Sequence, residues 1–321
     1  VKKVVVMGGG TGNFAVLRGL KNHGLDLSAI VSMADDGGST GVLRDELGVL
    51  PPGDVRQCLV AMSDSSRLMR SVMNYRFENG GLGGHSFGNL LLSVLEKVTG
   101  SFEKAVEEVG RILYIKGKVI PVTMHEVRLK MVLNNQKILE GEKEIYLSED
   151  IDKGYESIFL EPFPQANPRA LDEIRSADLI VMGPGGLHTS IIPNLLVRGL
   201  SEAVCETDAK LVFVCNLMNR LGQTTGFKVS DYHREIVRFI GRDVFDYILV
   251  NNQKPAPELI ERYASQGELV ENDMQDSRII LAPLLGKMEE KGRADSFLRR
   301  SLIRHNSKQV TQELIKIVNH L

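Results

Sequence analysis

The sequence predicts an α/β fold: a Rossmann-like, mostly parallel sheet with helices on both faces and a β-rich antiparallel insertion. Three observations carry this expectation. Short apolar runs alternate with stretches of helical period along most of the 321 residues. Many of those runs stop at glycine- or asparagine-rich turns. Between residues 118 and 161 the alternation lapses into successive strand-like segments.

The first strand is KKVVVMG, which stops at glycine, and NFAVLRGLKNHG has apolar residues at helical spacing. LDLSAIVSM is the second strand, followed by a polar loop beginning ADDGGSTG. Helical patterns then come in succession: DVRQCLVAMSD, SSRLMRSVMNYRF, FGNLLLSVLEKVTG and SFEKAVEEVGRIL. KVIPVT, VRLKMVL, KILEGEKEIYL and ESIFLEP read as strands of the insertion. Alternation resumes with PRALDEIRSA (helix), DLIVMG (strand), TSIIPNLLVRGLSEAV (helix), KLVFVCNLM (strand), SDYHREIVRFIG (helix) and FDYILVNN (strand). APELIERYASQG, the strand RIILAPL and the helix KQVTQELIKIVNHL complete the chain. No repeat or low-complexity linker divides it, so residues 1–321 read as one domain with 118–161 inserted.

At 43% hydrophobic and 25% charged, the composition is that of a soluble globular protein. A net charge of -2, with no element basic along one face, argues against nucleic acid as the main partner. The apolar runs are strand-sized and VKKVVVMGGG is unlike a leader, so no membrane insertion and a cytoplasmic location are expected. Cys58, Cys205 and Cys215 lack metal or disulfide spacing and read as buried or semi-buried thiols.

Ligands of open parallel sheets bind beyond the carboxyl ends of the strands, where this chain concentrates its unusual stretches. After the first strand, Gly9, Gly10, Thr11, Gly12 and Asn13 offer closely spaced N–H groups at a helix N-terminus, suited to a phosphate. A tight strand-to-helix turn is the plain alternative. The motif is neither GxGxxG, because Asn13 stands at the third glycine, nor a Walker loop. Gly183, Gly185 and Gly186, with His188 and Thr189 following, form a second such turn. Two on one rim suit a diphosphate.

Adjacent Asp35 and Asp36 repel unless a cation, an arginine or ligand hydroxyls lie between them. They are the candidate catalytic and Mg2+-binding pair, or the readers of a sugar diol; capping the turn would use only one. Ser39, Thr40 and Arg44 extend this wall towards a phosphate. In PPGDVR, Asp54 reads as a helix N-cap and Arg56 as an anion contact, since a helix N-terminus disfavours a cation. His85 and Asn89 in GGHSFGN are further candidates, although a lone histidine is commonly structural. Asn216 ends a strand with an amide suited to a base or sugar, or to turn chemistry. No covalent nucleophile announces itself.

GGGTG, DDGGSTGVLR, PPGDVR, HSFGNLL, GPGGLHTSIIPNLLV and CNLM, in this order over most of the chain, resemble the CofD-like (UPF0052) family, and most of all its bacterial YvcK branch, the gluconeogenesis factors. The resemblance implies a nucleotide crevice lined by these loops, with GGGTG and GPG at the phosphates and Asp35 and Asp36 at the sugar-bearing or reactive end. For the YvcK branch it implies UDP-sugar binding and a regulatory role in carbon metabolism, cell shape and cell-wall morphogenesis, with a protein partner there. For the distant phospholactate transferases it implies Mg2+-dependent transfer from a guanosine diphosphate donor. The ligand expected is therefore a UDP-sugar, NAD or a GDP-type nucleotide, and the state a homodimer. Gly186 and His188 stand where GPGSLYTS is usual, and Arg220, Leu221 and Gln223 where CNVMTQPGET is usual. These changes bear on which sugar or base is preferred.

Overall fold

Parallel strands buried on both faces are apolar throughout, because successive side chains point to opposite sides and each side is covered. KVVVMG shows this best: Val4, Val5, Val6 and Met7 all have 1% exposure or less. Burial of each such side chain contributes about 1.5–3 kcal/mol. The computed structural model describes residues 1–286 and 303–321. The strands in chain order are β1 (Lys3–Gly8), β2 (Asp26–Val31), β3 (Lys118–Pro121), β4 (Arg128–Leu133), β5 (Ile138–Glu140), β6 (Tyr155–Glu161), β7 (Leu179–Met182), β8 (Lys210–Val214), β9 (Tyr247–Asn251) and β10 (Ile279–Ala282). Seven of them form one sheet in the order β10-β9-β8-β7-β1-β2-β3, and β5-β4-β6 form a separate three-stranded sheet. All pairings in the larger sheet are parallel and those in the smaller are antiparallel.

The helices are α1 (Gly10–Leu20), α2 (Gly38–Leu47), α3 (Gly53–Met62), α4 (Arg67–Asn74), α5 (Phe87–Thr99), α6 (Phe102–Ile112), α7 (Glu142–Leu147), α8 (Pro168–Arg175), α9 (Ile192–Leu195), α10 (Leu200–Glu206), α11 (Val229–Ile240), α12 (Pro257–Tyr263) and α13 (Ser307–Val318). Among the described residues no helix is long and apolar enough to cross a membrane. Cys58, Cys205 and Cys215 are unbridged.

The α/β architecture agrees with the sequence, with four local differences. KVIPVT is β3, the edge strand of the parallel sheet beside β2, and not part of the insertion. The antiparallel sheet therefore spans Arg128–Glu161. KILEGEKEIYL divides into β5 and α7 at Gly141. GSTGVLRDEL, expected as loop, is α2, closed by left-handed Gly48. The single helix expected from Thr189 onward is a π-turn (Leu187–Ile191), α9 and α10, interrupted before left-handed Gly199.

The topology places a site by itself. The chain runs outward from β1 through β2 to β3, then returns to β7 on the other side of β1. Strand order thus reverses between β1 and β7, the point at which open sheets leave a crevice beyond their carboxyl ends.

Candidate functional site

The two glycine turns meet at this switch point. Gly12, in the first turn of α1, lies so close to the loop after β7 that a Cβ would be driven into the Pro184 carbonyl oxygen and within 3.2 Å of Gly185 Cα. Only glycine permits that approach. A Cβ on Gly9 would lie 2.6 Å from Ser190 Oγ and 2.9 Å from Asp54 Oδ2. Gly183 leaves β7 with φ +78°. Asn216 then fixes the loop: its Nδ2 donates to the Gly185 carbonyl at 2.9 Å, and the Gly185 N–H donates to its Oδ1 at 3.3 Å. The amide expected to read a base or sugar is spent on the turn itself.

The N-terminus of α1 has no side-chain cap and no acidic residue in its first turn. Its amides face a carboxylate from elsewhere. Asp54 is not the N-cap of α3, which is Pro52; a Cβ on Gly10 would lie 2.6 Å from its Oδ1, and it accepts the Gly10 N–H. Burial first, then the neighbouring Asp35, push Asp54 up to about 7. Asp35 is itself raised, chiefly by burial, although it accepts from the Gly37 N–H at 2.9 Å and from Thr40. Glu142, at the start of α7, completes the cluster: burial first, then Asp35, Asp54 and Asp36, push it up to about 9, and it bonds Thr189.

Asp36 turns away from its neighbour. Its Oδ1 accepts the Lys143 N–H at 2.7 Å, so it holds the amino end of α7. The expected Asp35–Asp36 pair is therefore divided between two elements, and the carboxylates facing one another across the crevice are Asp35, Asp54 and Glu142. Among the described residues no three His, Cys, Asp or Glu side chains are arranged to hold a metal ion by themselves.

Behind Asp35 runs a directed polar chain. Arg56, buried, donates from Nε to Asn89 Oδ1 at 2.8 Å and from Nη1 to Asn74 Oδ1 at 2.5 Å. Asn89 Nδ2 faces Ser39 Oγ at 3.4 Å, and Ser39 Oγ meets His85 Nδ1 at 3.0 Å. Since Arg56 can only donate, Asn89 must present its N–H to Ser39, which in turn shares a hydrogen bond with His85. Ser39, Arg56, His85 and Asn89 are thus brought together, but Arg56 is tethered within the fold while its charge acts on Asp35 and Asp54.

The remaining candidates are engaged or buried in other ways. Thr11 is exposed and donates to Gln57 at 3.0 Å. Asn13 is fully buried beneath Gly8. His188 is buried edge-on against Tyr155, and burial lowers its pKa to about 4, so its ring is neutral and inside the fold. Arg44 points to the far side of Asp36, beside Asp45 and the antiparallel sheet. Asp54 and Glu142 are crevice carboxylates that sequence reasoning missed. Asp54 carried a signal, standing two residues before Arg56 in a turn already read as anion-binding; Glu142 carried none.

A model of the family described as 2-phospho-L-lactate transferase CofD matches residues 4–285. The chain belongs to the CofD family. Within it the chain is of the gluconeogenesis-factor type. It is 40% identical over 321 residues to the putative gluconeogenesis factor of Thermotoga maritima, covering 98% of this chain and 99% of that one. It is 39% identical to the gluconeogenesis factor of Halalkalibacterium halodurans, covering 98% and 96%, and 40% identical over 263 residues to that of Bacillus subtilis, covering 81% and 82%. A crystal structure of a UPF0052 protein from Bacillus halodurans shares this CofD fold with a TM-score of 0.88 at 37% identity, covering 98% of this chain and 100% of that one.

Proposed function

We propose that this CofD-family chain binds a nucleotide-sugar diphosphate, a UDP-sugar first among them, in the β1/β7 crevice and acts in the cytoplasm as a regulator of carbon metabolism and cell-wall morphogenesis. The observation that carries the reading is the contact of Gly12 with Pro184–Gly185, which presents two glycine turns and the amino end of α1 to one ligand. The ligand's sugar end would face Asp35, Asp54 and Glu142. Calorimetric titration with UDP-N-acetylglucosamine, UDP-glucose and NAD tests it. Micromolar binding of a UDP-sugar is expected, and no heat from any nucleotide at millimolar concentration would remove the proposal.

The carboxylate cluster favours a second reading, Mg2+-dependent transfer of a phosphorus-containing group from a nucleotide diphosphate. Three facing carboxyls, two of them pushed up to about 7 and about 9, suit a divalent cation that relieves their repulsion. Asp35 and Asp54 would hold the ion, completed by the ligand's own phosphates, and the ion would neutralise charge on the transferring group. Thr40, Arg56 and the Gly10 N–H keep Asp35 and Asp54 oriented. Product formation with a deazaflavin acceptor that Asp35→Asn abolishes, while nucleotide binding survives, would establish turnover.

A further inference from the structure

Arg44 is 2% exposed, and its Nη1 has no hydrogen-bond partner. A guanidinium cannot shed its charge, and a buried N–H without an acceptor is costly, so this side chain calls for an acceptor that the fold does not supply. It borders a cavity of about 340 Å3 on the far side of Asp36 from the crevice, between α2, the antiparallel sheet and α7. Arg128 and Lys143 stand on the same cavity.

The acids around it are already engaged. Asp45 Oδ1 accepts from Arg44 Nε at 3.0 Å and from Arg128 Nη2 at 2.7 Å. Asp36 holds α7 through the Lys143 N–H. Glu140 pairs with Lys130 at 3.1 Å, and Glu144 accepts the Glu140 N–H at 2.9 Å. The donors still to be matched are Arg44 Nη1 and the Lys143 ammonium on its exposed stem.

We propose that this cavity is a second anion site, separate from the nucleotide crevice, that takes a small carboxylate. A planar carboxylate matches the guanidinium fork and carries a single charge. A phosphate dianion would meet repulsion from Asp36, Asp45, Glu140 and Glu144 around the same space. Leu147, 60% exposed beside the cavity, supplies an apolar wall for a short carbon stem.

The site does not depend on the crevice reading, and its test uses no nucleotide. Thermal unfolding is followed with acetate, pyruvate and succinate at about 10 mM, against sodium chloride and inorganic phosphate at matched ionic strength. At least one carboxylate is expected to raise Tm by about 2–4 °C more than chloride or phosphate does. Arg44→Met should abolish the shift. Because Arg44 is buried and its variant can fail for reasons of folding, Arg128→Met and Lys143→Met are measured too, and each should weaken the apparent affinity about tenfold. Equal shifts for carboxylate and chloride would overturn the proposal, as would a phosphate shift matching the carboxylate's. A shift that survives both surface substitutions unchanged would place the binding elsewhere. A crystal grown with the effective carboxylate, showing only water on Arg44 Nη1, would end it.

Discussion

At the scale of single residues, Asp54 is the group that would decide how the proposed nucleotide site meets a phosphate. Its carboxyl occupies the amino end of α1, and a diphosphate arriving there meets a neutral acid below about pH 7 and an anion above it. Without divalent cation, nucleotide affinity should fall as pH rises from 6 to 8, and Mg2+ should restore it; Asp54→Asn should flatten the profile. Calorimetry at both pH values, with and without EDTA, checks this. The same groups bear on stability. Asp54 and Glu142 have folded pKa values above their unfolded ones, so the folded chain holds extra protons and loses stability as pH rises from about 4 to about 9. Urea midpoints at pH 5.5 and 8.5 should differ less in Asp54→Asn than in the parent. Gly12→Ala reverses the usual helix preference. Alanine in place of a helical glycine normally stabilises by up to about 1 kcal/mol, but here, in the first turn of α1, overpacking against Pro184 should cost about 1–3 kcal/mol by urea denaturation and abolish nucleotide binding. The close turn at Gly9, Gly10 and Gly12 was legible because glycine density is local. The facing of Asp54, Asp36 and Arg44 was not, because the direction of a side chain at a turn is set by what packs against it.

At the scale of elements, α7 is a helix that its own sequence does not specify. Glu142–Leu147 is six residues long, too short to persist alone in water. Its ends are held from outside. Asp36 takes the Lys143 N–H, Gln223 Nε2 donates to the Ile145 carbonyl at 3.1 Å and to that of Tyr146 at 2.6 Å, and Arg220 lies 3.5 Å over the Tyr146 ring. This is why EKEIYL reads as strand from its apolar end and folds otherwise. Gln223→Ala leaves the Tyr146 carbonyl without its donor, while that of Ile145 keeps the Ser148 N–H, at a cost of about 1–3 kcal/mol. Amide exchange across Lys143–Leu147 should accelerate well beyond that of β1, with nucleotide affinity reduced because Glu142 loses its seat. Helix α2 was hidden for another reason. Its first turn, GSTG, is loop-like in composition, although Ser39, Thr40 and Gly41 are buried along with Leu43 and Arg44. The long strands were legible because both their faces are buried, which leaves an apolar run no other element of that length would show.

At the scale of the whole molecule, α1 is backed by α13. On α13, Val310, Leu314, Ile317 and Val318 are buried, and Thr311 stands where a Cβ on Gly19 of α1 would go. At about 1.5–3 kcal/mol per buried side chain, that contribution is of the order of a domain's net stability. Ending the chain before Ser307 should therefore leave a protein without a cooperative thermal transition, as calorimetry would show. The rim of loops was legible from sequence because strand ends and glycine clusters coincide. That the antiparallel sheet would send Glu142 into the rim was not, since nothing local marks its approach. The touching backbones of Gly12 and Pro184 have one more consequence. These two segments behave as interlocked knuckles with no slack between them, so neither can be exchanged alone. A chimera grafting one from a relative whose counterpart bends differently would jam, while one importing both together would close.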